Sequence, residues 1–144
     1  MAVQVALGPV HHLRLTVTDI NRSRDFYTRF LGFQVAVESP PNDDPGYEAT
    51  YPVLWGGIVM IQGNMLLGLR PVASQGDRFD PDRVGLDHLS FNVASRADLD
   101  QALQVFDENG VKHGEIKRLA GFDIDILPFF DPDGIALELT APVG

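Results

Sequence analysis

The chain contains no cysteine among its 144 residues, which excludes disulfide bridges and thiolate chemistry and leaves the redox compartment open. Basic residues are scarce, with 11 Lys and Arg against 20 Asp and Glu, a formal net charge of −9. Binding to nucleic acid relies on Lys and Arg to neutralise phosphates, so no nucleic-acid partner is expected. An acidic surface permits a cationic ligand, although solubility alone also favours it. No apolar run reaches membrane-spanning length, so no membrane partner is expected either. The opening "MAVQVALGPVHH" lacks the basic segment and long apolar run of a signal peptide, which makes the cytoplasm the expected location. Low-complexity segments are absent. What remains, 44% hydrophobic and 22% charged residues, is the composition of a soluble globular chain, long enough to bury a core as a single domain.

What is present is a repeat. "HLRLTV", His12 to Val17, reads almost as "HLSFNV", His88 to Val93. In the first copy Leu13, Leu15 and Val17 alternate with His12, Arg14 and Thr16, the pattern of a strand with one face on a core. Asp19 is an N-cap for the helix that follows, Phe26/Phe30 and Tyr27/Leu31 are i,i+4 pairs on it, and Gly32 stops it. "FQVAVE" returns as a strand, "SPPNDDPG" is a loop by composition, and Tyr47 with Asp43 and Asp44 could form a lid there. Two further strands, about 51–62 and 65–70, are expected around a tight turn at Gly63-Asn64.

Residues 71–85, rich in turn formers and charges, read as a linker. The second half repeats the order. His88–Val93 is a strand, Ser95 with Asp98 a capping-box signature, and Leu99, Leu103 and Phe106 a helix face closed by Gly110. "VKHGEIKRL" and "DIDILPFF" are strands, and Asp131-Pro132-Asp133-Gly134 is a turn into the strand "IALELT". The expected architecture is α+β: two tandem βαβββ modules, about 10–70 and 86–142 of one domain spanning 1–144. Their mixed sheets would curve around a cup-shaped cavity.

The polar faces of the repeated strands carry the chemistry. A lone histidine on a solvated sheet face needs no function, but here the same register carries His12 and His88. In the last strand Glu138 stands between Ala136 and Thr140 on the face away from Ile135, Leu137 and Leu139. It is either a solvated charge or a carboxylate that needs a partner. Two imidazoles and a carboxylate suit a divalent transition metal with positions left open for water or substrate. The candidate metal ligands are therefore His12, His88 and Glu138, for Fe, Mn, Zn, Ni or Co. His11, one residue away, should face the opposite side, and His113 should lie near a helix end at the surface.

"HLRLTVTD", "SRDFYTRFLGF", "GLDHLSF" and "FFDPDGIALEL" together resemble the vicinal oxygen chelate superfamily, which includes glyoxalase I, bleomycin-resistance proteins, fosfomycin-modifying transferases, epimerases and extradiol dioxygenases. The resemblance spans about residues 10–142. It implies metal ligands on the first and last strands of each module, which fall on His12, His88 and Glu138. Matching "LLGLRP" to "ALELTAP" puts the fourth position on Gly68, and glycine cannot ligate. Glyoxalase I and the epimerases use a protein ligand there, so the three-ligand set implies dioxygenase-like or addition chemistry on a small oxygen-rich substrate that chelates the metal.

The substrate-facing candidates are Arg14, Trp55, Gly68, Arg70 and Asn92. Arg14 and Arg70 could hold an anionic group or form structural ion pairs, and Trp55 could wall the pocket or fill a core or dimer role. The resemblance also implies a homodimer. The alternative function is a non-catalytic drug- or metabolite-binding resistance protein of the bleomycin-resistance type, in which acidity would attract a cationic ligand.

Overall fold

The computed structural model describes residues 3–144. The chain divides between Gln75 and Gly76 into two compact units. Each is a four-stranded mixed sheet with a long helix against one face, an α+β organisation, and the two sheets share one topology.

In the first unit β1 is Leu13–Thr16, α1 Ile20–Arg29, β2 Gln34–Glu38, α2 Gly46–Leu54, β3 Ile58–Gln62 and β4 Met65–Arg70. The strand order is β1-β4-β3-β2, with β1 parallel to β4 and the other pairs antiparallel. α1 begins at Asp19, whose carboxylate accepts the backbone N–H groups of Asn21 and Arg22 at 3.0 Å. Capping of this kind removes donors that a helix start otherwise leaves unpaired. The buried side of α1, Phe26 and Tyr27, meets Leu15, Met60, Leu67 and Leu69, all at most 5% exposed. The opposite face of the sheet carries Arg14 and Thr16 of β1 beside Gly68 and Arg70 of β4, paired Arg14 to Gly68 and Thr16 to Arg70.

The helix α2 corrects the sequence reading, which placed loop and the beginning of a strand over these residues. Tyr47, Tyr51 and Trp55 recur every four residues, and their rings step along the helix with centroids 5.6 and 5.2 Å apart. That period belongs to a helix, and it outweighs Pro52, which only removes one donor near the C-terminal end. Trp55 terminates α2 in the left-handed conformation at φ 55°. Gly57 then passes so close to β4 that a Cβ there would stand 1.9 Å from the Leu69 carbonyl oxygen.

In the second unit β5 is Leu89–Asn92, α3 Arg96–Asn109, β6 Lys117–Leu119, β7 Ile124–Phe130 and β8 Ala136–Pro142. The order is β5-β8-β7-β6, with β5 parallel to β8. The Asp98 carboxylate accepts the Ser95 backbone N–H at 2.8 Å and its hydroxyl at 3.0 Å, closing the start of α3. Leu99 and Phe106 face Leu127, Phe129 and Leu137, and the Phe106 and Phe129 rings stack at 4.7 Å. Asp125 is fully buried beneath α3, yet charged, because Arg118 grips both its oxygens at 2.8 and 2.9 Å. That bidentate bond, reinforced by Arg96 at 3.7 Å, holds the carboxyl below its ordinary range against the opposing effect of burial.

The strand expected over "VKHGEIKRL" shrinks to β6. His113 contributes one isolated bridge to Phe129, the Gly114 N–H still donates to the Pro128 carbonyl at 2.8 Å, and residues 114–116 lie outside the strand before Lys117. His113 is not a loose surface residue: its side chain is 20% exposed and ties the end of α3 to that bridge through Asp107.

Candidate functional site

The parallel pairing of β5 with β8 puts Ser90 opposite Glu138 and Asn92 opposite Thr140. This face is the one turned away from α3, so the polar residues of the two strands meet there. His88 stands immediately before β5, and its Nε2 lies 3.8 Å from Glu138 Oε1. Two donors that each approach one transition-metal ion to about 2.1 Å can be no more than about 4.2 Å apart. The pair fits that limit, and imidazole with carboxylate is a suitable donor set.

The surroundings of the pair hold it in place. The Ser90 hydroxyl donates to Glu138 Oε1 at 2.9 Å, and the Thr140 hydroxyl lies 2.5 Å from Ser90 Oγ and 3.2 Å from Glu138 Oε1. Each hydroxyl has one proton, so Thr140 donating to Ser90 and Ser90 to Glu138 satisfies the chain. On the other side of the ring, His88 Nδ1 is 2.5 Å from Asp87 Oδ1. A carboxylate at Nδ1 fixes that nitrogen as the donor and leaves the Nε2 lone pair toward Glu138. Strand alternation would have turned Asp87 and His88 to opposite faces. Both precede β5, where alternation no longer applies, and so Asp87 escaped the sequence reading.

His12 belongs to the first unit. It stands before β1, exposed, with its Nδ1 2.8 Å from His11 Nδ1 and the two rings edge to face. The expectation that His11 turns to the opposite side is thus incorrect, again because the pair lies outside the strand. Within either unit, among the described residues, no three His, Asp or Glu side chains gather as a ligand cluster.

Of the substrate-facing candidates, four come together in the first unit. The Arg14 side chain lies across Gly68, where a Cβ would be 3.0 Å from Arg14 Nε and 3.3 Å from Arg14 Cγ. Arg14 Nη1 then donates to the Val53 carbonyl at 2.9 Å, at the C-terminal end of α2. A cation there also suits the negative end of the helix dipole. Arg70 places its guanidinium 3.9 Å from the centre of the Trp55 ring. Asn92, at the exposed end of β5, belongs to the second unit instead. Residues Gly68 and Glu138 occupy matching places in the two sheets, on the second strand opposite Arg14 and Ser90 respectively. The repeat offers a carboxylate in one unit and none in the other.

No helix among the described residues is long and apolar enough to cross a membrane. The YwkD protein of Bacillus subtilis strain 168 is 31% identical over 136 residues, covering 92% of this chain and 96% of its own. A crystal structure of a glyoxylase/bleomycin resistance protein/dioxygenase domain from Frankia sp. EAN1pec superposes with a TM-score of 0.74 at 28% identity, over 95% of this chain and 93% of that one. A variant of the fosfomycin resistance protein FosX from Listeria monocytogenes, complexed with Mn(II) and 1S,2S-dihydroxypropylphosphonic acid, gives a TM-score of 0.73. It covers 95% of this chain and 94% of its own, and at 15% identity it is a likeness of fold alone. The family model for the Glyoxalase/Bleomycin resistance protein/Dioxygenase superfamily matches residues 10–139. With this coverage and the duplicated sheets, the chain belongs to that superfamily.

Proposed function

We propose that the protein is a divalent-metal-dependent enzyme acting on a small oxygen-rich molecule, with His12, His88 and Glu138 as the metal ligands. The observation that carries this reading is the His88–Glu138 pair, 3.8 Å apart and buttressed by Asp87 and Ser90. When bound, a divalent ion would act as Lewis acid on negative charge developing at chelating substrate oxygens. The residues of the chain do the positioning. Asp87 orients the imidazole and sets its tautomer, while Ser90 holds the Glu138 carboxylate in one rotamer.

Gly68 separates the candidate reactions. It supplies no carboxylate, and Arg14 fills the space over it, so no protein base stands at that position in the first unit. This favours dioxygenase-like or addition chemistry over glyoxalase-type isomerisation.

The alternative is a binding protein that sequesters a drug or metabolite without turnover. The charge distribution supports it: residues 76–144 contain 6 basic and 14 acidic residues, whereas residues 1–75 contain 5 and 6. A cationic ligand would be drawn to the second unit. Metal content separates the two readings. Protein purified without an affinity tag should retain or take up about one divalent ion per chain, and protein that binds none after reconstitution would favour sequestration.

A homodimer is part of the proposal. Each sheet has two open edges, and every residue of the edge strand β2 is exposed, including Val35 and Val37. Pairing with a second copy would protect such an edge. Light scattering at micromolar concentration should give twice the chain mass, and the monomer mass would contradict it.

A further inference from the structure

Arg70 has an unusual setting. It is half-buried, its Nε is enclosed without a hydrogen-bond partner, and among the described residues no carboxylate pairs with it. An arginine normally resolves burial with a fork of hydrogen bonds to a carboxylate or phosphate. Here the guanidinium instead rests on the Trp55 indole, 3.9 Å from the ring centre, which fixes its plane without neutralising its charge.

The platform beneath it is built at some cost. Trp55 is a bulky residue in the left-handed region at φ 55°, a strained conformation for a residue with a Cβ, of a kind that clusters at ligand sites. Two contacts hold it, its ring packing on Tyr51 and the Trp55 N–H donating to the Tyr51 carbonyl at 2.8 Å, and Arg14 ties down the Val53 carbonyl two residues earlier. Arg70 therefore stays where it is for reasons other than a counter-ion. Charge balance permits an anion here, because the first unit is nearly neutral and the acidic excess lies in residues 76–144.

We propose that Arg70, stacked on Trp55, is an oxyanion-binding site on the open face of the first sheet. Its terminal nitrogens take a carboxylate or phosphate group of a small organic acid. This deepens the enzyme reading above, since it names an anionic group on the substrate. The site is nevertheless formed entirely by the first unit and needs no metal.

The test uses the full-length protein, stripped of metal and dialysed. Trp55 is the only tryptophan in the chain, so its emission reports directly on this site. Titration with benzoate and, separately, with inorganic phosphate should change the emission saturably, and the more effective probe identifies the preferred oxyanion. Benzamide, of the same shape as benzoate but neutral, should produce little change. Arg70→Gln should weaken the response at least about tenfold, the loss expected for a charge-assisted bond. Arg70→Lys, which keeps the charge but not the planar stack, should fall between. Far-ultraviolet circular dichroism establishes that each variant is folded; should Arg70→Gln not fold, the Arg70→Lys and benzamide comparisons decide. No saturable response to either anion, an equal response to benzamide, or an unchanged response in the folded variants would overturn the proposal. Metal binding measured on the same preparations stands or falls separately, so failure of this site and failure of the metal reading are distinguishable.

Discussion

Replacing His113 with glutamine should destabilise the protein in a pH-dependent way. Its Nδ1 lies 2.6 Å from the Gly114 carbonyl oxygen and its Nε2 2.6 Å from Asp107 Oδ1. Both ring nitrogens face acceptors, so only the imidazolium satisfies both. The Gly114 carbonyl is the larger influence and Asp107 the next; together they raise the pKa above the ordinary 6.5 against a smaller opposing effect of burial. A raised folded-state pKa means the stabilisation is fully present below about pH 6.5 and is lost as pH rises through the folded value. Asp107 is 70% exposed, so solvent screening limits the effect to about 1 kcal/mol. For a chain of this length that corresponds to about 3 °C in Tm. Thermal melts of the two proteins across pH 5 to 9, read as differences at each pH, measure it. The gap should be widest at the acid end and should shrink to a constant remainder at alkaline pH. A gap that is flat, or that widens as pH rises, would refute the reasoning.

A pair of substitutions probes the turn after α2, and one activity assay probes the glycine in β4. Gly57→Ala should cost about 3 kcal/mol, the upper end for overpacking, because the new Cβ meets backbone oxygens of Leu69 and Leu54 rather than movable side chains. Gly121→Ala, with nothing within 4 Å of its Cβ position, should be near neutral in the same denaturation series, and equal effects would mean that the close approach is absent in solution. Gly68 leads to an activity prediction. The protein should not isomerise the methylglyoxal–glutathione hemithioacetal, even with nickel, cobalt or zinc supplied, and turnover near an ordinary enzyme rate of about ten per second would show that a base is supplied elsewhere.

The duplicated architecture was legible because its signals are local and redundant. Asp19, Ser95 with Asp98, and Gly110 mark helix ends through hydrogen bonds made within a few residues, and strict alternation in "LRLT" and "ALELT" assigns each side chain of those strands to a face. The same alternation placed Glu138 and Ser90 together once β5 and β8 paired in parallel. Legibility failed where two periods competed. Over residues 46–57 the tyrosines and Trp55 repeat every four, but the turn formers up to Gly46 read as loop and the apolar residues from about 51 onward read as strand, so α2 was missed. It failed again at strand ends: His11 and Asp87 touch His12 and His88 just outside β1 and β5, where period-two alternation has no force. The Arg70–Trp55 stack depends on a left-handed residue joining a helix to a strand, and no short-range pattern in the sequence announces it.

Isothermal titration of Mn(II), Fe(II), Ni(II) or Zn(II) into the full-length protein and its alanine variants tests the central claim most directly. The wild type should bind about one ion per chain. His12→Ala, His88→Ala and Glu138→Ala should each lose at least about a hundredfold in affinity, since each removes a ligand rather than a supporting bond, whose loss alone costs ten- to a hundredfold. His11→Ala, which removes the hydrogen-bond partner of His12 but no proposed ligand, should lose less affinity than any of the three ligand variants. Equal affinities in all five proteins, or no binding by any, would contradict the assignment of His12, His88 and Glu138 as one metal site.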